Sequence, residues 1–202
     1  MIGGHVHSLT LGYHNVSGLH NKHGCKVYDL IPELLNDIEI WSEIWACNCD
    51  ISVEGYDILT QIDPQKRGNA KRGRKSGVIR ILTKTFLSKH VRILSKSNNF
   101  IWMEVNRDVI KNLPKNLIIC AAYIHDATSK YFTPTIFEEL GRGILNYCDD
   151  DTPFIITGDL NSRTGTLDEN SNDPMPEELN CFIETNNLNI ISLKLDKILI
   201  RL

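Results

Sequence analysis

The sequence predicts an α/β domain built around at least one mixed sheet, and three observations carry that expectation. Short apolar runs recur along the whole chain and outnumber the helical stretches. Runs and helical stretches interleave rather than segregate. Leu117 to Tyr123 is a nearly continuous apolar run, the pattern of a strand buried on both faces. The 202 residues, 42% hydrophobic and 23% charged, suffice for one domain burying about 70% of its unfolded surface. Apolar residues spread over the full length exclude collagen-like, low-complexity and disordered classes. No repeat period and no Gly/Ser- or Pro-rich linker divides the chain. No stretch reaches the roughly 18 apolar residues of a membrane span, so no membrane partner is expected.

Taken in order, Ser8 to His14 reads as a first strand, ended by the Ser17-Gly18 turn. Val27 to Asn36 has helical spacing in Leu30, Ile31, Leu34 and Leu35, with Pro32 tolerable in a first turn. Ile38 to Ile44 alternates as a strand. Gly55 to Ile62, Gly77 to Thr83, His90 to Leu94 and Phe100 to Asn106 follow as four successive strands. After the Leu117–Tyr123 run, Thr133 to Cys148 is helical, with Ile136, Leu140, Ile144 and Tyr147 on one stripe. Pro153 opens the strand Phe154-Ile155-Ile156-Thr157. A weaker helix, Glu177 to Thr185, leads into Leu188 to Ser192 as the last strand.

Net charge is −3 and the pI near 6.2, so the bulk balance does not announce a nucleic-acid binder. Its distribution says more. Between the strands at Gly55 and Gly77, Lys66, Arg67, Lys71, Arg72, Arg74 and Lys75 place six cations in a stretch with no acid. Such a loop suits a row of phosphates, each contact releasing counterions; it equally suits a solvated surface. The six cysteines show no zinc-type pairing, since Cys47-Asn48-Cys49 has one intervening residue. The start Met1-Ile2-Gly3-Gly4-His5 lacks the features of a secretory signal. Free thiols and an intracellular setting, nuclear if the substrate is DNA, are therefore expected. The formal sequon Asn15-Val16-Ser17 is expected to go unused. Five of the seven histidines fall within the first 23 residues, but their spacing fits neither one helix face nor a metal-ligand pattern.

Four strand-like runs end in polar groups that an apolar segment would not choose. The first ends at Tyr13-His14-Asn15. In the second, Asp37, Glu39, Trp41, Glu43 and Trp45 share one parity, which places Glu43 between two tryptophans on one face. The third reaches Tyr123, followed by Ile124-His125-Asp126. The fourth continues Thr157-Gly158-Asp159-Leu160-Asn161. Ligands of α/β sheets bind outside the carboxyl ends of strands. Two carboxylates, two carboxamides and a phenol converging there make a hard-cation, phosphate-type site. Singly, Asn15 and Asn161 also suit turns, Glu43 a salt bridge, Tyr123 a core and Asp159 a loop.

At these residues the chain resembles the endonuclease/exonuclease/phosphatase superfamily. The resemblance rests on Asn15-Val16-Ser17-Gly18-Leu19, Ser42-Glu43-Ile44-Trp45, Ala122-Tyr123-Ile124 and Gly158-Asp159-Leu160-Asn161-Ser162-Arg163-Thr164-Gly165, in that order and spacing. Gly55-Tyr56, Arg74-Lys75-Ser76-Gly77 and Phe100-Ile101-Trp102 add to it. Within the superfamily it is most similar to endonuclease domains of non-long-terminal-repeat (LINE-type) retrotransposons, over residues 8 to 192. The resemblance implies a two-sheet α/β sandwich and a Mg²⁺-dependent phosphodiester hydrolase, with Mn²⁺ as a substitute and DNA as the partner of a monomer. It implies that Glu43 binds the metal, with Asn15 in the metal or phosphate shell. Asp159 orients and deprotonates the attacking water, and Asn161 and Tyr123 donate hydrogen bonds to the phosphate.

The chain also departs from that pattern. Ser17 stands where many relatives carry an acid or amide. Ile124 is followed by His125-Asp126 where relatives carry proline and then a polar phosphate contact. Val78 replaces one glycine of a pair. The resemblance implies a late Asp and a terminal Ser-Asp-His, and the tail from Leu193 to Leu202 has neither. The expectation is therefore one domain over residues 1–202, C-terminally incomplete, with the last strands of one sheet missing and weak or absent nicking. Two alternatives stand beside it: a catalytically dead nucleic-acid-binding module using the Lys66–Lys75 loop, and a phosphatase of the same superfamily.

Overall fold

The computed structural model describes residues 8–16, 20–21, 24–25, 34–44, 52–61, 79–126, 129, 131–161, 175–193 and 196–201. Two sheets carry the architecture. The four-stranded sheet contains β1 (Leu11–Asn15), β4 (Ile38–Ser42), β5 (Tyr56–Gln61) and β6 (Arg80–Lys84), in the order β1-β4-β6-β5. The six-stranded sheet contains β7 (Val91–Lys96), β8 (Phe100–Val105), β9 (Leu117–Tyr123), β10 (Phe154–Asp159), β11 (Asn189–Leu193) and β12 (Asp196–Arg201), in the order β11-β12-β10-β9-β8-β7. A two-residue pair, β2 (His20–Asn21) and β3 (Gly24–Cys25), stands apart. The helices are α1 (Thr85–Ser88), α2 (Ile136–Tyr147) and α3 (Met175–Thr185), and no described helix is long and apolar enough to cross a membrane.

Alternation along β9 divides the interior in two. Leu117, Ile119, Ala121 and Tyr123 face the other sheet and meet Ile38, Ile40, Ile79 and Ile81. Ile118, Cys120 and Ala122 face α2 and α3, where Phe137, Leu140, Ile144, Leu179 and Phe182 cover them. Every residue of β9 is buried, as its apolar run predicts. Each sheet holds one parallel pair. β1 runs with β4, Asn15 opposite Ser42, and β9 runs with β10, Tyr123 opposite Asp159. The carboxyl ends of these four strands form one rim.

Most predicted strands occur with ends displaced by one to three residues. The helix expected to reach Asn36 does not include residues 34–36, which carry no helical structure; residues 27–33 lie outside the described ones. The reason is local: the Asn36 N–H and carboxamide both donate to Glu39 Oε1, at 3.1 and 2.9 Å, which turns the chain into β4. Leu188–Ser192 was expected to be the last strand, whereas β12 follows and inserts antiparallel between β10 and β11. Of the described cysteine side chains, Cys120 is buried, Cys148 half-buried and Cys181 exposed.

Asp37 ties the four-stranded sheet together. Its Oδ2 accepts from the Thr10 N–H at 3.0 Å and the Thr10 hydroxyl at 2.9 Å, and its Oδ1 meets Lys84 Nζ at 3.1 Å. Burial opposes the carboxylate, but the Thr10 donors and the Lys84 ammonium together hold its pKa below the ordinary value. The part-buried Thr10 bonds carry most of the effect, since Lys84 is one-third exposed. Asp37→Asn is expected to cost roughly 2 kcal/mol at neutral pH. A depressed folded pKa means this stability is present above about pH 4 and is lost as pH falls through the folded value. Urea unfolding of both proteins should therefore show a gap at neutral pH that narrows as the pH falls below the ordinary carboxylate value of about 4.

Candidate active site

Three candidate residues reach the rim by strand alternation alone. Asn15 shares the parity of Leu11 and Tyr13, which pack into the inter-sheet core. Tyr123 shares that of Ile119 and Ala121, and Asp159 that of Ile155, so both point between the sheets and sit side by side in register. Asn15 Nδ2 donates to Asp159 Oδ2 at 3.0 Å, a hydrogen bond from one sheet to the other.

Glu43 arrives differently, and here the sequence expectation is corrected. Ile38 and Ile40 face the inter-sheet core, and Glu39 and Trp41 are fully buried on the opposite face. Continued alternation would send Glu43 to the Glu39–Trp41 face. The strand stops at Ser42, however, and Glu43 takes a left-handed backbone, φ 53°. This reverses its side chain, so that Glu43 Oε1 accepts from the Tyr123 hydroxyl at 2.7 Å. Below this contact the Tyr13 and Ser42 hydroxyls are hydrogen-bonded, and the Val16 N–H donates to the Ser42 carbonyl at 3.1 Å. His14 turns away from the rim to Glu39, Nε2 to Oε2 at 3.2 Å.

Asn161 is the second left-handed residue of the site, φ 43°. Its N–H donates to Asp159 Oδ1 at 2.9 Å, an Asx turn, and its carboxamide donates to the Ile124 carbonyl at 2.7 Å. Asp159 is thereby held through both oxygens, by Asn161 on one and Asn15 on the other. A left-handed non-glycine residue costs on the order of 1–3 kcal/mol, and two of them flank one rim. Gly158 explains the glycine before Asp159. Its φ is +143°, and a Cβ there would overlap the Ala122 carbonyl oxygen of β9.

Burial raises the pKa of the Tyr123 phenol, and its hydrogen bond to Glu43 and the charges of Glu43 and Asp159 raise it further. Tyr123 is thus a proton donor throughout the range in which an ordinary tyrosine, with pKa about 10, remains neutral. Its backbone is clamped by Asn99 in the β7–β8 turn. The Tyr123 N–H donates to the Asn99 carbonyl at 2.8 Å, and Asn99 Nδ2 donates to the Tyr123 carbonyl at 2.9 Å. His125 stands edge-on to the Tyr123 ring at 5.1 Å and packs on Tyr131 at 5.5 Å. Neither Asn99 nor His125 was singled out as a candidate by sequence reasoning; an Asn-Asn pair at a strand turn and a histidine two residues beyond the strand end are the signals that were present.

The donors at the rim are hard oxygens. Two carboxylates, Glu43 and Asp159, beside two carboxamides, Asn15 and Asn161, suit Mg²⁺, which is commonly held by one or two carboxylates plus a substrate phosphate. Among the described residues no three His, Cys, Asp or Glu side chains gather into a closed cage. The cationic candidates Lys66, Arg67, Lys71, Arg72, Arg74 and Lys75 lie outside the described residues.

Two stability outcomes follow from this backbone. Gly158→Ala should destabilise the domain by about 3 kcal/mol or more, read by urea or thermal unfolding. Glu43→Gly and Glu43→Ala both remove the bond to Tyr123, but only glycine relieves the left-handed strain. Glu43→Gly should therefore be the more stable of the two by about 1 kcal/mol, and equal unfolding midpoints would show that position 43 stores no strain.

No family model matches the chain, and no curated protein matches it by sequence. Solved structures do match. The endonuclease domain of TRAS1, a telomere-specific non-LTR retrotransposon, superposes with a TM-score of 0.64 at 11% identity, covering 95% of this chain and 84% of that one. The 3′ phosphatase NExo from Neisseria, solved with a product DNA hairpin, gives 0.62 at 11% identity, covering 96% and 86%. A mannosyl-6-phosphatase of Bacteroides thetaiotaomicron gives 0.60 at 12% identity, covering 96% and 85%. Together with the sheet topology and the strand-end site, these likenesses give the chain the two-sheet α/β sandwich fold of the endonuclease/exonuclease/phosphatase superfamily.

Proposed function

We propose that the chain is a metal-dependent phosphodiester hydrolase acting on DNA, an endonuclease of the retroelement type. The observation that carries this is the convergence of Glu43, Tyr123, Asn15, Asp159 and Asn161 on one rim. Glu43, with Asn15 beside Asp159, would hold Mg²⁺, and Mn²⁺ would substitute. The bound ion supplies positive charge to the scissile phosphate and the leaving oxygen.

The residues do the rest. Asp159, held through both oxygens, presents a fixed lone pair to a water and takes its proton. Its two fixed bonds spare it reorientation during the reaction. Tyr123 keeps its proton because of burial and the two neighbouring carboxylates; with substrate bound, its single O–H would turn from Glu43 to a phosphate oxygen as charge builds there. Asn161 uses one N–H proton on the Ile124 carbonyl, which fixes the direction of the other. DNA would extend from the rim along the cations between Lys66 and Lys75.

Plasmid nicking with and without Mg²⁺ tests the reading. Nicking should require the metal and fall about a hundredfold or more in Glu43→Gln, Asp159→Asn and Tyr123→Phe. Because the folded pKa of Tyr123 is raised, no loss of rate should come from its ionisation below about pH 10. Absence of nicking, with salt-dependent DNA binding that disappears when the Lys66–Lys75 cations are neutralised, would replace the enzyme with a binding module. The two phosphatase neighbours favour one further arm, release of inorganic phosphate from a 3′-phosphorylated oligonucleotide and from a sugar phosphate. Phosphate release without nicking would move the substrate class from diester to monoester.

A further inference from the structure

Strand β9 ends at Tyr123, but the order of its backbone continues. The Ile124 N–H donates to the Asp159 carbonyl at 2.8 Å, which prolongs the pairing with β10. The Ile124 carbonyl accepts from the Asn161 carboxamide at 2.7 Å. The two peptide groups leading into His125 are thus held by Asp159 and Asn161. Tyr123 belongs to the inter-sheet core and Ile124 to the helix-covered one, so the next side chain returns to the Tyr123 side. The ring contact agrees: His125 stands edge-on to Tyr123, 5.1 Å between centroids and 85° between planes. On its other flank is Tyr131, at 5.5 Å. Ser129 turns the chain back to bring Tyr131 there, its N–H donating to the Asp126 carbonyl at 2.8 Å and its carbonyl accepting from the Phe132 N–H at 2.9 Å. Phe132 packs against the core under the helices.

The His125 ring is half-buried, and two tyrosines leave it little rotational freedom to lose when a ligand arrives. Packing between tyrosines would be served equally by phenylalanine. What imidazole adds is a ring N–H, present in either tautomer without net charge. The carboxylates near it are Glu43 and Asp159 at the rim and the exposed Asp126 next in the chain. A phosphate enters such surroundings together with its metal ion, and accepts from several donors through different oxygens. We propose that His125 contacts the substrate phosphate, its ring N–H donating to an oxygen beside the one that Tyr123 meets. The inference rests on the phosphate-hydrolase reading of the rim and adds a third side-chain donor to Tyr123 and Asn161. It applies to a diester and to a monoester alike.

Nicking kinetics in Mg²⁺ compare the wild type with His125→Gln, His125→Phe and His125→Ala, with urea unfolding to show that each variant is folded. Glutamine keeps an N–H donor without the ring, and phenylalanine keeps a ring without a donor. Activity should fall in the order wild type, Gln, then Phe and Ala. For the Phe variant kcat should drop about tenfold or more with KM changed less than about threefold. A Phe variant at least as active as the Gln variant would overturn the contact, because packing between the tyrosines alone gives that ranking. A second readout needs no turnover. The ring ¹⁵N resonances of His125, assigned by their absence from His125→Gln, are followed during titration with inorganic phosphate in Mg²⁺. They should shift saturably in the wild type, and unmoved resonances would overturn the contact. The two readings fail separately: saturable shifts without nicking keep the phosphate contact and remove the diester hydrolase, whereas nicking with the packing ranking and unmoved resonances removes the contact alone.

Discussion

Strand β9 has no exposed face, and the rest of the molecule is arranged around that constraint. A strand with apolar side chains on both sides must be covered twice, once by a second sheet and once by helices. The inward residues of β9 bring the four-stranded sheet against it, and the outward ones bring α2 and α3. Its parallel neighbour β10 must then end level with it, which places Asp159 beside Tyr123. The close approach of the two backbones is possible because position 158 has no Cβ. The chemistry at the rim is thus a product of how the core closes.

The site is where local preference yields to tertiary demand. Glu43 and Asn161 both adopt left-handed backbones that their neighbours impose. For Asn161 the cost is small, because asparagine tolerates this region and its side chain completes an Asx turn. For Glu43 no such compensation is local. What holds it is the long-range bond from Tyr123, a residue on the other sheet.

Much of this architecture was legible in the sequence, and the failures have physical causes. The continuous run of β9 and the single apolar stripe of α2 were found because a buried face leaves a period. The side chain of Glu43 was assigned to the wrong face because alternation assumes extended dihedrals, and one positive φ cancels it. Strand β12 was missed because its run of Ile and Leu follows another such run closely, and the hairpin was not separated from its first strand. Asn161 bears out the turn reading, since its N–H closes an Asx turn on Asp159. The link from Asn15 to Asp159 joins residues 144 positions apart in sequence, a contact no local pattern encodes.

That link has a thermodynamic meaning. Asn15 ends β1 and Glu43 follows β4 of one sheet, while Tyr123 and Asp159 end β9 and β10 of the other and Asn161 follows β10, so the rim is a seam between two halves of the core. A ligand seated there touches both halves and has its full set of partners only while they are aligned. Its binding free energy is then added to the cohesion of the sandwich, growing with the logarithm of ligand concentration once the site is filled. Occupancy and global stability become one quantity, and the resistance of the whole domain to unfolding becomes a gauge of what lies in the seam.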